Sequence, residues 1–224
     1  MGFYRGPNIV TDNLTFAIDA GSARSYDGTT TVTDLSGTNN VTLANGVTYQ
    51  SINGGVFSYD GVDDRGSAGN FFTYQAFTIN LWVKPGTSQT TYADIIDNNH
   101  SGNRNWVCQQ NSNTLNQYNF LVFSASGQTS ATGNFNLTAS TWVNLTFTYD
   151  GDKVRGYNNG VLFATGSSLG TTINYSSQYF YIGRWGGGGR NWKGEYGPLY
   201  CYNAALSAAQ ISQNFNAQKS RFGL

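Results

Sequence analysis

Residues 142–165 leave this chain little conformational choice. Val143, Leu145, Phe147 and Tyr149 alternate with Asn144, Thr146 and Thr148. That is the period-two pattern of a strand with one buried and one solvated face. Asp150-Gly151 supplies a turn, residues 154–157 a second strand, and Asn159-Gly160 a reversal into residues 161–165. An Asn-Gly pair suits a type I′ turn because both central residues there take positive φ. The expectation is a three-strand antiparallel meander with Asn144, Thr146 and Thr148 on its wet side.

The same alternation recurs along the chain. Leu14, Phe16 and Ile18 mark an opening strand, and residues 56–59 lead into the acidic turn Asp60-Gly61-Val62-Asp63-Asp64. Phe77, Ile79, Leu81 and Val83 form the clearest run of the first half, halted by Pro85-Gly86. Further strands are expected at 92–96, 105–109, 118–123, 135–137, 179–182 and 199–202, with 25–46 a polar loop region. One helix is predicted at 207–216. Ser207-Ala208-Ala209-Gln210 is a capping box, Leu206 and Ile211 a hydrophobic staple, and Ile211 with Phe215 an apolar docking face. Many short strands, one late helix and no βα alternation predict an all-β fold, a two-sheet antiparallel jelly-roll sandwich. Leu81, Val83, Leu145, Phe147 and Ile182 should face its interior. A length of 224 residues fits one such domain, read as 13–218, with an arm at 1–12 and a short basic tail at 219–224.

Composition narrows the function classes. Apolar residues make up 39% and aromatics 15%, enough for a sizeable core, while charged residues are only 11%. Asn, Thr, Ser and Gly must therefore carry the surface. A net charge of zero gives no electrostatic footprint for nucleic acid or an anionic membrane. No apolar run approaches the ~20 residues that span a bilayer. The opening Met1-Gly2-Phe3-Tyr4-Arg5-Gly6 lacks the apolar stretch of a secretory signal, so the expectation is action where the protein is made, or release by lysis or as part of a particle. Cys108 and Cys201 sit in alternating strands and are read as buried free thiols. The sequons at Asn13, Asn40 and Asn144 are discounted as products of Asn/Thr-rich sequence.

Several segments together resemble the laminin-G-like, concanavalin A-like jelly rolls. Trp142-Val143, Thr148-Tyr149-Asp150-Gly151 and Tyr157-Asn158-Asn159-Gly160 look like that family's central signature. Tyr59 to Asp64 is similar to its acidic turn, and Phe77 to Lys84 to a core strand. Ile182-Gly183-Arg184, Lys193-Gly194 and the block Tyr202 to Ile211 are similar to its C-terminal part. Tyr196-Gly197-Pro198 departs from the usual strand at that place. Gly6-Pro7-Asn8-Ile9-Val10, Asp34-Leu35-Ser36-Gly37 and the ending Phe215-Asn216-Ala217 with Arg221-Phe222-Gly223-Leu224 resemble the subgroup found in bacteriophage virion proteins. The resemblance implies a virion-surface structural protein (capsid decoration, fibre or adhesion module). Its expected partners are other virion proteins, further copies of itself and cell-surface glycans. It also implies calcium in some members, held by acidic turns and backbone carbonyls. A stand-alone carbohydrate-binding lectin is the alternative, and a glycosidase the third reading.

Catalytic residues are not apparent. Glu195 is the single glutamate, Asp63 and Asp64 are adjacent on a turn where side chains should diverge, and His100 is the single histidine. Gly186 to Gly189 lacks the Lys-Ser/Thr of a phosphate loop. For calcium, Asp60, Asp63 and Asp64 are the candidate ligands, with Asp19 a more distant one; local turn chemistry is the favoured explanation of the group. For sugar contact or a subunit interface the candidates are Arg184, Trp185, Arg190, Asn191 and Trp192 around the glycine run. A second patch would hold Trp106 with Arg104 and His100.

Overall fold

The alternating segments become sixteen strands among the described residues. The computed structural model describes residues 7–100, 103–111, 114–136, 139–176 and 179–224; the His100 side chain, Phe3, Tyr4 and Leu137 lie outside the described residues. In chain order the strands are β1 (Leu14–Ile18), β2 (Thr31–Val32), β3 (Val41–Ala44), β4 (Thr48–Gln50), β5 (Val56–Asp60) and β6 (Arg65–Ala68). There follow β7 (Phe77–Pro85), β8 (Asp94–His100), β9 (Asn103–Asn111), β10 (Thr114–Ser124) and β11 (Gly127–Asn134). The last are β12 (Val143–Tyr149), β13 (Val154–Asn158), β14 (Val161–Thr165), β15 (Phe180–Ile182) and β16 (Lys193–Tyr202). Helix α1 (Ala208–Gln218) and a 3-10 turn, Lys219–Phe222, close the chain.

Two eight-stranded sheets result. The first runs β14-β13-β12-β7-β16-β5-β4 with β1 paired to β16, the second β11-β10-β9-β8-β15-β6-β3-β2. All named pairings are antiparallel. The inner faces enclose one large core that contains Leu81, Val83, Leu145, Phe147 and Ile182, as their spacing predicts. Each such side chain contributes about 1.5–3 kcal/mol on burial. Asn159 and Gly160 have φ of 49° and 78°, the two left-handed residues a type I′ turn requires. Cys108 and Cys201 are both buried and free.

Pro198 finds its explanation in β16. Residues Lys193 to Tyr196 pair with β5, whereas Leu199 to Tyr202 pair with β1. The register against β7 shifts between Tyr196 and Leu199. Gly197-Pro198 therefore sits where the strand changes partner, in the middle of the sheet. A bulge tolerates a residue without an N–H.

Some expectations fail for physical reasons. Asn144, Thr146 and Thr148 are buried, not wet. Asn80 Nδ2 donates to Asn144 Oδ1 (3.1 Å) and to Thr146 Oγ1, so the polar row is satisfied under a third layer. That layer is α1 and its 3-10 turn. The capping box is present: Ser207 Oγ accepts from Gln210 N–H and Gln210 Oε1 accepts from Ser207 N–H. Ile211 is buried with Leu206, but Phe215 is only half-buried and Asn214 is buried instead. Asn214 accepts from Val10 N–H (2.8 Å) and donates to the Tyr202 hydroxyl (3.0 Å), tying the N-terminal arm to the sheet. Phe222 lies on Trp82, ring centroids 4.2 Å apart, so residues 219–222 pack on their own sandwich. Strands β2, β4, β6 and β11 lack a clear apolar alternation, whereas β3, with Val41 and Leu43 buried, carries a short one that the polar-loop reading of 25–46 misses. In β11 the inward residues are Thr129, Ala131 and Gly133, small because a Cβ on Gly133 would meet the Tyr118 ring at 2.6 Å. Phe135 lies just past that strand, against Tyr118 and Trp192.

Candidate functional site

The turn between β5 and β6 passes from the first sheet to the second, and its acidic residues converge. One carboxylate oxygen from each of Asp60, Asp63 and Asp64 lies within 4.8 Å of the others. The expected divergence of Asp63 and Asp64 is thus overturned, because the tight turn folds their carboxylates back toward Asp60. Asp60 Oδ1 accepts from Val62 N–H (2.7 Å) and Asp64 Oδ2 from Asp60 N–H (2.9 Å). Asp60 and Asp63 are exposed, while Asp64 is 2% exposed and its Oδ1 has no hydrogen-bond partner among the described residues. Burial pushes the Asp64 carboxyl above the usual range, against the bond from Asp60 N–H and with the charges of Asp60 and Asp63. Three converging carboxylates, with Asp64 Oδ1 buried and without a partner among the described residues, are the hard donors that suit a calcium ion. Asp19 stands apart: both its oxygens bind Arg221, at 2.7 and 2.9 Å.

The glycine-rich stretch between β15 and β16 is a bonded loop. Gly183 N–H donates to Ile95 O, Trp192 N–H to Gly183 O, and Gly188 N–H to Trp185 O. Beneath it lie two carboxylates that the sequence reading missed. Asp97 Oδ2 accepts from Gly186 N–H at 2.7 Å, and Asp94 N–H donates to Arg190 O at 2.8 Å. Both aspartates are fully buried, and neither Asp94 oxygen has a partner among the described residues. Burial pushes both carboxyls well up; the Asp94 charge raises Asp97 further, and Arg190 opposes the shift in each. Two acids three residues apart in an apolar run were the signal.

Above this pair, Arg190 lies over the Trp185 ring at 4.7 Å and the Tyr92 ring at 5.0 Å. Arg190 in the loop and Tyr92 just before β8 both take positive φ (49° and 58°). Arg184 Nε donates to Trp185 O. Asn191 Nδ2 donates to Val62 O and so joins the loop to the acidic turn.

Two expected contacts are corrected. Trp192 and Trp106 are fully buried in the main core, Trp192 against Phe135 and Trp106 against Phe72 and Phe180, so neither can stack on a sugar. Arg104 and Trp106 do not share a patch. The register of β9 against β8 shifts between Asn98 and Asn99, so Asn105 is the extra residue and Arg104 is exposed beside Phe123.

The family model of the concanavalin A-like lectin/glucanases superfamily, of laminin-G type, matches residues 53–212. This chain belongs to that family. No curated protein sequence matches it significantly. Among solved structures it is similar to the botulinum neurotoxin serotype D binding domain, with a TM-score of 0.73, 14% identity and coverage of 92% of this chain and 52% of that one. It is also similar to the binding domain of botulinum neurotoxin DC in complex with SialylT (TM-score 0.70, 17% identity, 92% and 52%). A third is the serotype G binding domain (0.72, 17%, 93% and 52%). The chain spans about half the length of these domains. At such identities the likeness is one of fold.

Proposed function

We propose that this chain is a non-enzymatic recognition module that binds glycans through the surface formed by Tyr92, Arg190 and Trp185. The supporting observation is the cluster itself: a guanidinium close to the faces of two aromatic rings, on a loop anchored by a buried aspartate. Rigid aromatic faces beside planar donors suit sugar rings, which offer C–H faces and hydroxyl edges. A toxin binding domain of which this chain matches about half is in complex with SialylT, which is consistent with a glycan ligand. Binding rather than hydrolysis is favoured because Glu195 is engaged by Lys84 at 3.0 Å. A glycan array tests this. Specific binding that drops more than about tenfold in Trp185→Ala supports the proposal, and a blank array with folded protein defeats it.

The finer form of this reading is a repeated surface subunit of a bacteriophage particle, a decoration, fibre or adhesion module. Its support is the low-charge polar composition and the terminal segments that resemble virion proteins. Mass spectrometry of purified particles decides it. Calcium is the metal proposed, with Asp60, Asp63 and Asp64 as ligands. Bound there, it would neutralise clustered carboxylates and stiffen the turn that Asn191 touches.

A further inference from the structure

The outer face of the second sheet carries a groove that runs from the β10–β11 turn to the Tyr92–Arg190 surface. An open trough of about 700 Å³ is lined by Arg104, Phe123 and the β10–β11 turn. Through Arg104, Phe123 and Gln128 it continues into a hollow of about 350 Å³ that includes Tyr92 and Arg190. Strand register sets its composition. Gln109 stands opposite Asn119, Val107 opposite Leu121, and Phe123 opposite Gln128. Val107, Leu121 and Phe123 form a small apolar cluster of their own, separate from the main core. Of these, Val107 is buried and only Leu121 and Phe123 reach the hollow, beside the amides of Gln109 and Asn119, so a small apolar floor with polar edges faces it, a combination that suits a sugar ring.

The charge in this groove is one-sided. None of the residues lining either part is acidic. Arg104 lies 5.3 Å over Phe123, and Arg190 is held over Tyr92. The ion pairs among the described residues are Lys84–Glu195, Arg155–Asp150 and Arg221–Asp19, so neither groove arginine belongs to one. Asp94 and Asp97 lie within the field of Arg190, and burial favours their neutral forms. Arg104 has no such neighbour and is exposed. A guanidinium over a ring face still carries N–H donors that match the oxygens of a carboxylate or sulfate.

We propose that this groove takes an oligosaccharide bearing an anionic group, a carboxylate or a sulfate, that Arg104 pairs with the anion, and that Tyr92 and Arg190 hold the other end. The inference rests on the glycan reading above and names its ligand class. Calorimetric titration with three tetrasaccharides tests it: a neutral glucan, an oligouronate and a heparin-type sulfated fragment. At least one acidic probe should bind about tenfold or more tighter than the glucan at low salt, with the preference shrinking as salt rises. Whichever acidic probe binds identifies carboxylate or sulfate as the group read. Arg104→Gln should abolish the preference of the acidic probe over the glucan. Equal binding of all three probes, or a preference that survives in Arg104→Gln, overturns the proposal. So does failure of all three to bind. In that case neutral-sugar hits on the glycan array would leave the broader reading standing, and a blank array would remove both.

Discussion

The two sheets share an inner core but treat their outer faces in opposite ways. On the first sheet β7 is buried along nearly its whole length, on both sides. Trp82 points outward there and is covered by Phe222 and Phe215, with Trp142 packed on Phe222. Asn80, Asn144 and Thr146 satisfy one another beneath that layer. On the second sheet β11 alternates between buried and exposed, and arginines rest on rings at the surface. A face covered by the chain's own C-terminal segment serves stability. A face left open, with amides and cations over aromatic rings, is available to a partner.

The largest effect should come from opening the covered face. Phe222→Ala removes a 5%-exposed ring wedged against Trp82 and Trp142. The expected loss is about 3–5 kcal/mol in a denaturant titration. A loss below about 1 kcal/mol would mean that the third layer is not integral to the fold. The acidic turn joins the two faces and gives the next effect. If calcium binds there, saturation at a hundredfold excess over Kd should add about 2.7 kcal/mol, and Asp64→Ala should erase the response. Identical melting in calcium and in chelator would remove the metal from the turn.

This contrast was only half legible in the sequence. Period two identified the meander and the core positions because one inner face must be apolar whatever covers the other. It could not show that Asn144 and Thr146 are buried, since a hydrogen-bonded polar row and a wet one read alike. Nor could it place Arg104, because one extra residue at Asn105 puts that side chain on the opposite face from the one spacing implies. Trp106 and Trp192 look like sugar-stacking residues as letters, yet both fill the core. Asp60, Asp63 and Asp64 were legible as a group because a tight turn gathers its own residues. The Asp94–Asp97 anchor was missed because it acts across the fold, on Gly186.

That anchor ties β8 to the loop on the open face, and it should tune stability with pH. In the unfolded chain both carboxyls titrate near about 4, while burial raises them in the fold. Between those values the folded state holds more protons, so stability falls as pH rises from about 4 through the raised values. Asp94→Asn should flatten that slope and raise the melting temperature at pH 8 by about 2–4 °C per kcal/mol recovered. A melting profile parallel to that of the unaltered protein would count against the buried carboxylate as its source. A smaller change belongs to the covered face. Ser207→Ala breaks the capping box of α1 at a cost of about 0.5–2 kcal/mol, and an unchanged midpoint would show that docking alone holds the helix.

The smallest stability effect should be at the residue with the greatest consequence for binding. Arg104 is exposed, pairs with no carboxylate among the described residues and touches the fold through the Phe123 ring. Its replacement by Gln should change stability by no more than about 0.5 kcal/mol, as for other surface positions. A cation–π contact at an exposed site contributes only about 0.5–1 kcal/mol, and a long polar side chain retains part of the packing. Measured together, Phe222→Ala and Arg104→Gln separate the two faces: the first should lower the denaturation midpoint sharply, the second should leave it in place. A loss above about 2 kcal/mol for Arg104→Gln would show that the open face is held by its arginines as the covered face is held by its rings. The contrast between a structural face and a binding face would then fail.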